Sequence, residues 1–281
     1  MQTGFLPFRS SRISYSHWGT GPKLLLCFHG YGESAASFSL LEPALGRDFT
    51  ILAIDMPFHG ATDWQESLFF DPAELPALIE QIIGLIVSDA TSPSGLPAGE
   101  QRWWIMGYSM GGRVALGLLE KMPLKIEKVV LLAPDGLKMN RWYWLATQTR
   151  AGNRLFRLTM ARPYWFLFIL RMADRLHLAN RSIYKFIVHY IDHAQVRDDL
   201  YKRWTTMRGF RPDLPAIQSI LREQQIPMRL VYGRYDRIIR PEKGERFSRE
   251  TSPWCKLSVL NCGHQLLQDR NLDELAGLMM E

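Results

Sequence analysis

The pentapeptide Gly107-Tyr108-Ser109-Met110-Gly111 constrains this 281-residue chain more than any other segment. The apolar run 102–106 precedes it, and a helical stretch over 110–121 follows. A serine on such a strand-to-helix turn must hold a strained backbone conformation. Glycines two residues to either side let neighbouring chain approach without a Cβ in the way. The serine then projects above the edge of a sheet, near the positive end of the following helix. An ordinary Ser-Gly turn would account for the pentapeptide alone, but not for a strand before it and a helix after it.

Apolar runs at 23–28, 50–54, 102–106, 128–132, 229–232 and 256–260 read as strands, and 12–18, which alternates, reads as an edge strand. Several of these runs are continuous, the pattern of strands covered on both faces. Helical stretches at 72–88, 241–249 and 272–280 separate them; Leu75, Leu78, Ile79 and Ile82 mark one face of the first. This alternation predicts an α/β fold, a mostly parallel twisted sheet flanked by helices. Residues 90–99, rich in Ser, Pro and Gly, read as a surface loop.

Charge breaks the pattern once. Residues 137–212 carry fifteen Lys/Arg and four Asp/Glu, a net of +11, so the remainder of this +6 chain carries −5. The same segment holds 14 of the 33 aromatic residues. Such a step marks an inserted helical subdomain over 137–212 in a core domain of 1–136 and 213–281. Within the insert Ile183, Phe186, Ile187 and Tyr190 follow helical spacing, and Pro163 is expected to start a helix.

Other classes are disfavoured. The N-terminus lacks a basic segment followed by an apolar run, so no signal peptide is expected. The longest apolar run, 164–170, is far short of the roughly 20 residues that span a bilayer. Three cysteines without a framework fit a reducing compartment, and a cytoplasmic location is expected. Cys27 is expected in the core. No Cys/His spacing points to zinc, and neither metal nor organic cofactor is expected.

If Ser109 is a nucleophile it needs a base. His177, His189 and His193 lie in the insert, His17 on the edge strand, and His29 in a Gly-rich loop whose shape it holds. His59 sits in a turn and reads as structural. His264, in Asn261-Cys262-Gly263-His264 just after the last strand, remains. The acid that orients it is expected at Asp236, in a turn after the strand at 229–232 and 28 residues before His264. Asp135, after the strand at 128–132, is its rival.

Together, His29-Gly30-Tyr31-Gly32, Asp55-Met56-Pro57-Phe58-His59-Gly60, the Ser109 pentapeptide, Gly233-Arg234-Tyr235-Asp236 and Gly263-His264 resemble the α/β-hydrolase superfamily. The likeness is to its serine branch with a helical lid between strands six and seven, and it covers about residues 10–136 and 213–280. It implies a serine hydrolase with Ser109, Asp236 and His264 as triad, working through an acyl-enzyme. The N–H groups of Tyr31 and Met110 would form the oxyanion hole. Members that use aspartate at the elbow open epoxides or remove halides; Ser109 argues against those reactions.

The expected substrate is a small-molecule carboxylic ester with an apolar or lipid-like acyl group. Thioester hydrolysis, carbon–carbon cleavage of an anionic substrate, and a receptor that does not turn over are the alternatives. The insert's aromatics (Trp142, Trp144, Tyr164, Trp165, Phe166, Phe168) would line an acyl pocket or pack the insert's own core. Its arginines form a solvated face, attract an anionic membrane surface, or steer an anionic substrate. A nucleic-acid partner is not expected, because no binding module accompanies the charge.

Overall fold

Continuous apolar runs cannot face water on either side, and the chain buries them in the middle of a sheet. The computed structural model describes residues 1–88, 102–175, 191 and 193–281. Among these, eight strands form one sheet: β1 (Gln2–Phe8), β2 (Ser11–Trp18), β3 (Lys23–Phe28), β4 (Phe49–Ile54), β5 (Trp103–Tyr108), β6 (Ile126–Leu132), β7 (Met228–Gly233) and β8 (Cys255–Leu260). Their order is β1-β2-β4-β3-β5-β6-β7-β8. The pairs β1–β2 and β2–β4 are antiparallel, and the others are parallel.

The helices of this layer are the short α1 (Glu42–Leu45), α2 (Leu75–Ser88) and α3 (Met110–Lys121). Leu75, Leu78, Ile79 and Ile82 of α2 are buried, as their spacing requires. Further along come α4 (Arg141–Gln148), α5 (Arg150–Ala161), α6 (Tyr164–Arg175), α7 (Ala194–Thr206), α8 (Leu214–Glu223), α9 (Glu242–Thr251) and α10 (Leu272–Met280). Leu167 N–H bonds the Pro163 carbonyl at 2.9 Å, so Pro163 stands just outside α6 rather than within it.

The strand at 12–18 is not the edge. β1 pairs along its whole length, Gln2 opposite His17 through Phe8 opposite Ser11. β1 escapes a hydrophobicity reading because only Leu6 of its seven residues is buried. It also contains Gly4 and Pro7, which sequence rules keep out of central strands and allow at an edge. The loop expected at 90–99 and the helical spacing from Ile183 to Tyr190 lie outside the described residues, as do His177 and His189.

The parallel register places the ends of the central strands together. Phe28 pairs with Gly107, Tyr108 with Leu132, Leu132 with Val231, and Gly233 with Leu260. The loops after β3, β5, β7 and β8 therefore leave the sheet at one edge, where ligands of such sheets bind. Cys27 is buried in β3.

Two compact units are present. One comprises Met1–Glu66, Asp71–Lys138 and Gly209–Glu281; the other comprises Ser67–Phe70 and Met139–Arg208. The charge step put the boundaries at 137 and 212 and gave no sign that four residues after β4 belong to the second unit. Phe70 N–H bonds the Thr206 carbonyl at 3.0 Å, and the Arg208 guanidinium bonds the Leu68 carbonyl and lies over the Phe69 ring. Within this unit Asn140 caps α4 at Trp142 N–H and Thr149 caps α5 at Gly152 N–H, satisfying donors that a helix start leaves open. Tyr143, Phe156, Tyr201 and Trp204 meet ring to ring inside it.

Candidate active site

The turn between β5 and α3 allows no side chain at two positions. A Cβ on Gly111 would stand 1.9 Å from the Phe28 carbonyl oxygen, and one on Gly107 would stand 2.5 Å from the Gly111 carbonyl oxygen. Helix α3 thus starts in van der Waals contact with the end of β3. Because the obstacle at Gly111 is backbone, relief requires moving a strand. Gly111→Ala is expected to destabilise the fold by about 3 kcal/mol, read from the urea midpoint.

Between these glycines Ser109 has φ 49° and ψ −113°. The conformation is strained for an L-residue and is held by backbone bonds on both sides. Ser109 N–H donates to the Leu132 carbonyl at 2.9 Å, and its carbonyl accepts from Gly112 at 2.9 Å and Asp135 at 2.8 Å. Its side chain is thereby lifted to the strand edge. His264 Nε2 lies 3.1 Å from Ser109 Oγ, and His264 Nδ1 lies 2.7 Å from Asp236 Oδ2. The structure thus brings together the serine, the histidine and the acid singled out in the sequence.

Asp236 is fixed by its own loop. Its Oδ1 accepts from Ile238 N–H at 2.7 Å and Ile239 N–H at 2.9 Å, and its side chain is fully buried. Burial raises a carboxyl pKa, but the hydrogen bond from His264 and the two backbone N–H groups outweigh it. The Asp236 carboxyl lies below the ordinary value, so the carboxylate persists where the imidazole needs an acceptor. The acid and histidine loops are also laced together: Arg234 N–H bonds Leu260 O and Tyr235 N–H bonds Cys262 O, at 2.8 and 2.9 Å. A Cβ on Gly233 would stand 2.0 Å from Gly263 O, which explains the glycine there.

Asp135 is engaged elsewhere. Its carboxylate pairs with Arg113 of α3, whose side chain is 7% exposed.

The loop after β3 abuts the serine. A Cβ on Gly30 would stand 3.0 Å from the Tyr108 ring and 3.4 Å from Ser109 Cβ. His29 holds this loop rather than reaching the serine. Its Nδ1 donates to Gly30 O at 2.8 Å, and its Nε2 accepts from Met56 N–H at 3.0 Å. Asp55, at the start of the Asp55–Gly60 motif, accepts from Ala35 N–H at 2.6 Å and Ala61 N–H at 2.9 Å. His59 is buried in that turn, 4.9 Å from the His29 ring and 6.1 Å from the Tyr31 ring. Met110 N–H is among the first four of α3, which have no acceptor within the helix.

One set of groups had no sequence signal beyond its nearness to the motifs. Burial pushes the Tyr108 phenol up, so it stays a donor. It reaches Gln265 Oε1 at 2.9 Å and His264 O at 3.2 Å, and Gln265 Nε2 donates to Glu33 Oε1 at 2.9 Å. The loop that carries Tyr31 and the loop that carries His264 are tied through side chains 232 residues apart.

Three of the six insert aromatics singled out in the sequence stand in water rather than inside the helical unit. Trp142, Tyr164 and Phe168 are 78%, 82% and 64% exposed. The helical unit instead packs inward on Tyr143 and Trp204, because position around each helix decides which aromatic is buried.

An eight-stranded sheet of this order, with a serine elbow after its fifth strand, defines an α/β-hydrolase fold. The pattern of the alpha/beta hydrolase family matches residues 24–278, and the chain belongs to that family. The uncharacterized hydrolase YugF of Bacillus subtilis is 24% identical over 275 residues, 92% of this chain and 89% of its own. The pimeloyl-[acyl-carrier protein] methyl ester esterase of Aeromonas hydrophila is 25% identical over 248 residues, 81% of this chain and 82% of its own. Among solved structures, a probable hydrolytic enzyme from Pseudomonas aeruginosa superposes with a TM-score of 0.68 at 15% identity, covering 99% of this chain and 93% of its own. A thermophilic esterase from Thermogutta terrifontis does so at 0.65 and 16%, covering 100% and 97%. The chain is an enzyme of the alpha/beta hydrolase family. Among the described residues no helix is long and apolar enough to cross a membrane.

Proposed function

We propose that the protein is a serine esterase that cleaves carboxylic esters with apolar acyl groups through an acyl-enzyme on Ser109. The observation that carries this reading is the unbroken chain Ser109 Oγ–His264 Nε2 and His264 Nδ1–Asp236 Oδ2, at 3.1 and 2.7 Å. In it Ser109 Oγ attacks the ester carbonyl carbon as His264 Nε2 takes its proton. Asp236 fixes the ring tautomer and stabilises the imidazolium. The Met110 and Tyr31 N–H groups hold the oxyanion, and the positive end of α3 adds to them. His264 then protonates the departing alkoxide, water enters with His264 as base, and the acid leaves with Ser109 restored. The methyl ester esterases among the relatives, named for a carboxylic ester, support this bond type.

The test is turnover of p-nitrophenyl esters of increasing acyl length, with fluorophosphonate labelling in parallel. Turnover with an optimum above acetyl, together with labelling at Ser109, is the expected result. Labelling without ester turnover would move the reading to thioester or carbon–carbon substrates. Neither signal in a folded protein would end it.

A further inference from the structure

Helix α6 presents the wrong face to water. Its exposed residues include Tyr164, Trp165, Phe168, Ile169 and Met172, with Phe168 64% and Ile169 53% exposed. At 100° per residue these five fall within about 140° of arc, and Phe166, Leu167 and Leu170 occupy the other side. Those three are the less exposed ones. The helix therefore has two apolar faces, and the protein partly covers one of them. Soluble surfaces rarely keep a contiguous aromatic and aliphatic face in water without a use for it.

The charge around that face selects its occupant. Arg171 and Arg175 are exposed on α6, at the Tyr164 border of the stripe, and Arg162 is exposed just before the helix. Helix α5 adds exposed Arg154 and Arg157 beside exposed Leu155 and Leu158. From residue 136 to 173 the chain carries seven Lys/Arg and no Asp or Glu over 38 residues. A partner must therefore offer an apolar interior beneath a negative surface. Tyr and Trp at the boundary, Phe, Ile and Met deeper, and arginines reaching back to headgroups match an anionic phospholipid leaflet. An acidic protein groove would satisfy the arginines, but five apolar side chains along one convex helix suit a surface that closes around them.

We infer that the exposed face of α6 is a peripheral docking surface for anionic phospholipid membranes, entered by Trp165, Phe168 and Ile169 and oriented by Arg162, Arg171 and Arg175. The inference does not depend on the reaction at Ser109, because binding is read without turnover.

The experiment is co-sedimentation of the full chain with vesicles of phosphatidylcholine alone and of an equal mixture of phosphatidylcholine and phosphatidylglycerol. Wild type is expected to bind the mixed vesicles at least about tenfold more tightly and to lose most of that preference in about 1 M salt. Phe168→Glu with Ile169→Glu is expected to reduce binding at least about tenfold, with the melting temperature checked because both side chains are already in water. Arg171→Glu with Arg175→Glu is expected to remove the preference for the anionic lipid, and this pair alone decides the matter if the apolar pair fails to fold. Equal binding to both vesicles, or wild-type binding by either folded double variant, would overturn the inference. So would a dimer in light scattering that Phe168→Glu dissociates, or binding of soluble poly-glutamate with none to vesicles.

Discussion

Ser109→Ala is expected to lower ester turnover by about 10⁴ to 10⁶-fold, leaving a folded protein. The size follows from the proposed mechanism: the Oγ lies 3.1 Å from His264 Nε2, and the Cβ that carries it stands beside the loop at Gly30. A water in its place lacks the fixed geometry that makes attack unimolecular. The backbone allows a control. Alanine keeps the strain of φ 49° at this position, whereas glycine adopts it freely. Ser109→Gly should be as inactive as Ser109→Ala and more stable by about 1 kcal/mol, the strain relieved less the added chain entropy. Steady-state rates and melting curves on the two variants check both parts. An active Ser109→Gly would remove the serine from the mechanism.

The second large effect separates two aspartates. Asp236→Asn should cost about 10⁴-fold in turnover, because an amide at that position favours the wrong imidazole tautomer and no longer stabilises the imidazolium. Asp135→Asn should change turnover by less than about tenfold. It should instead lower stability by about 1–3 kcal/mol, because the buried Arg113 guanidinium loses this carboxylate; the figure is held down by the part-exposed Asp135 side chain. A pH series adds a signature. The Asp236 carboxyl lies below its ordinary value of 3.8, so its contribution to folding is complete above that value and is lost as pH falls through the lower folded one. Similar turnover losses in both variants would put the acid assignment aside.

The parallel strands were legible because a strand covered on both faces must be apolar at every position, and few other elements are both short and uniformly apolar. β1 was not, since an edge strand with one buried side chain reads as loop. The elbow and the acid loop announced themselves through glycines, Gly107, Gly111 and Gly233, whose Cβ atoms would strike backbone. The acid was narrowed to two residues, because each follows a strand on the same sheet edge. Only the Arg113 pair on one and the His264 bond on the other separate them. The Tyr108–Gln265–Glu33 tether was illegible: ordinary polar residues far apart in sequence carry no local mark of meeting. The aromatics of the insert failed differently. Their number was plain, but α6 is apolar nearly all round, and its pattern does not tell an inward face from an outward one.

The four residues Ser67–Phe70 carry a consequence for heredity and for engineering. The helical unit is stitched from two stretches of chain that are far apart in sequence, with the backbone of Phe70 bonded to that of Thr206. Recombination at the single insertion point after β6 would transplant most of that unit and leave its smaller piece behind. Chimeras between relatives would then carry a mismatched seam at Phe70, whatever the compatibility of the exchanged helices. Exchange of the helical unit in this lineage should therefore proceed by paired changes in both stretches, and a working graft must cut the chain at two places.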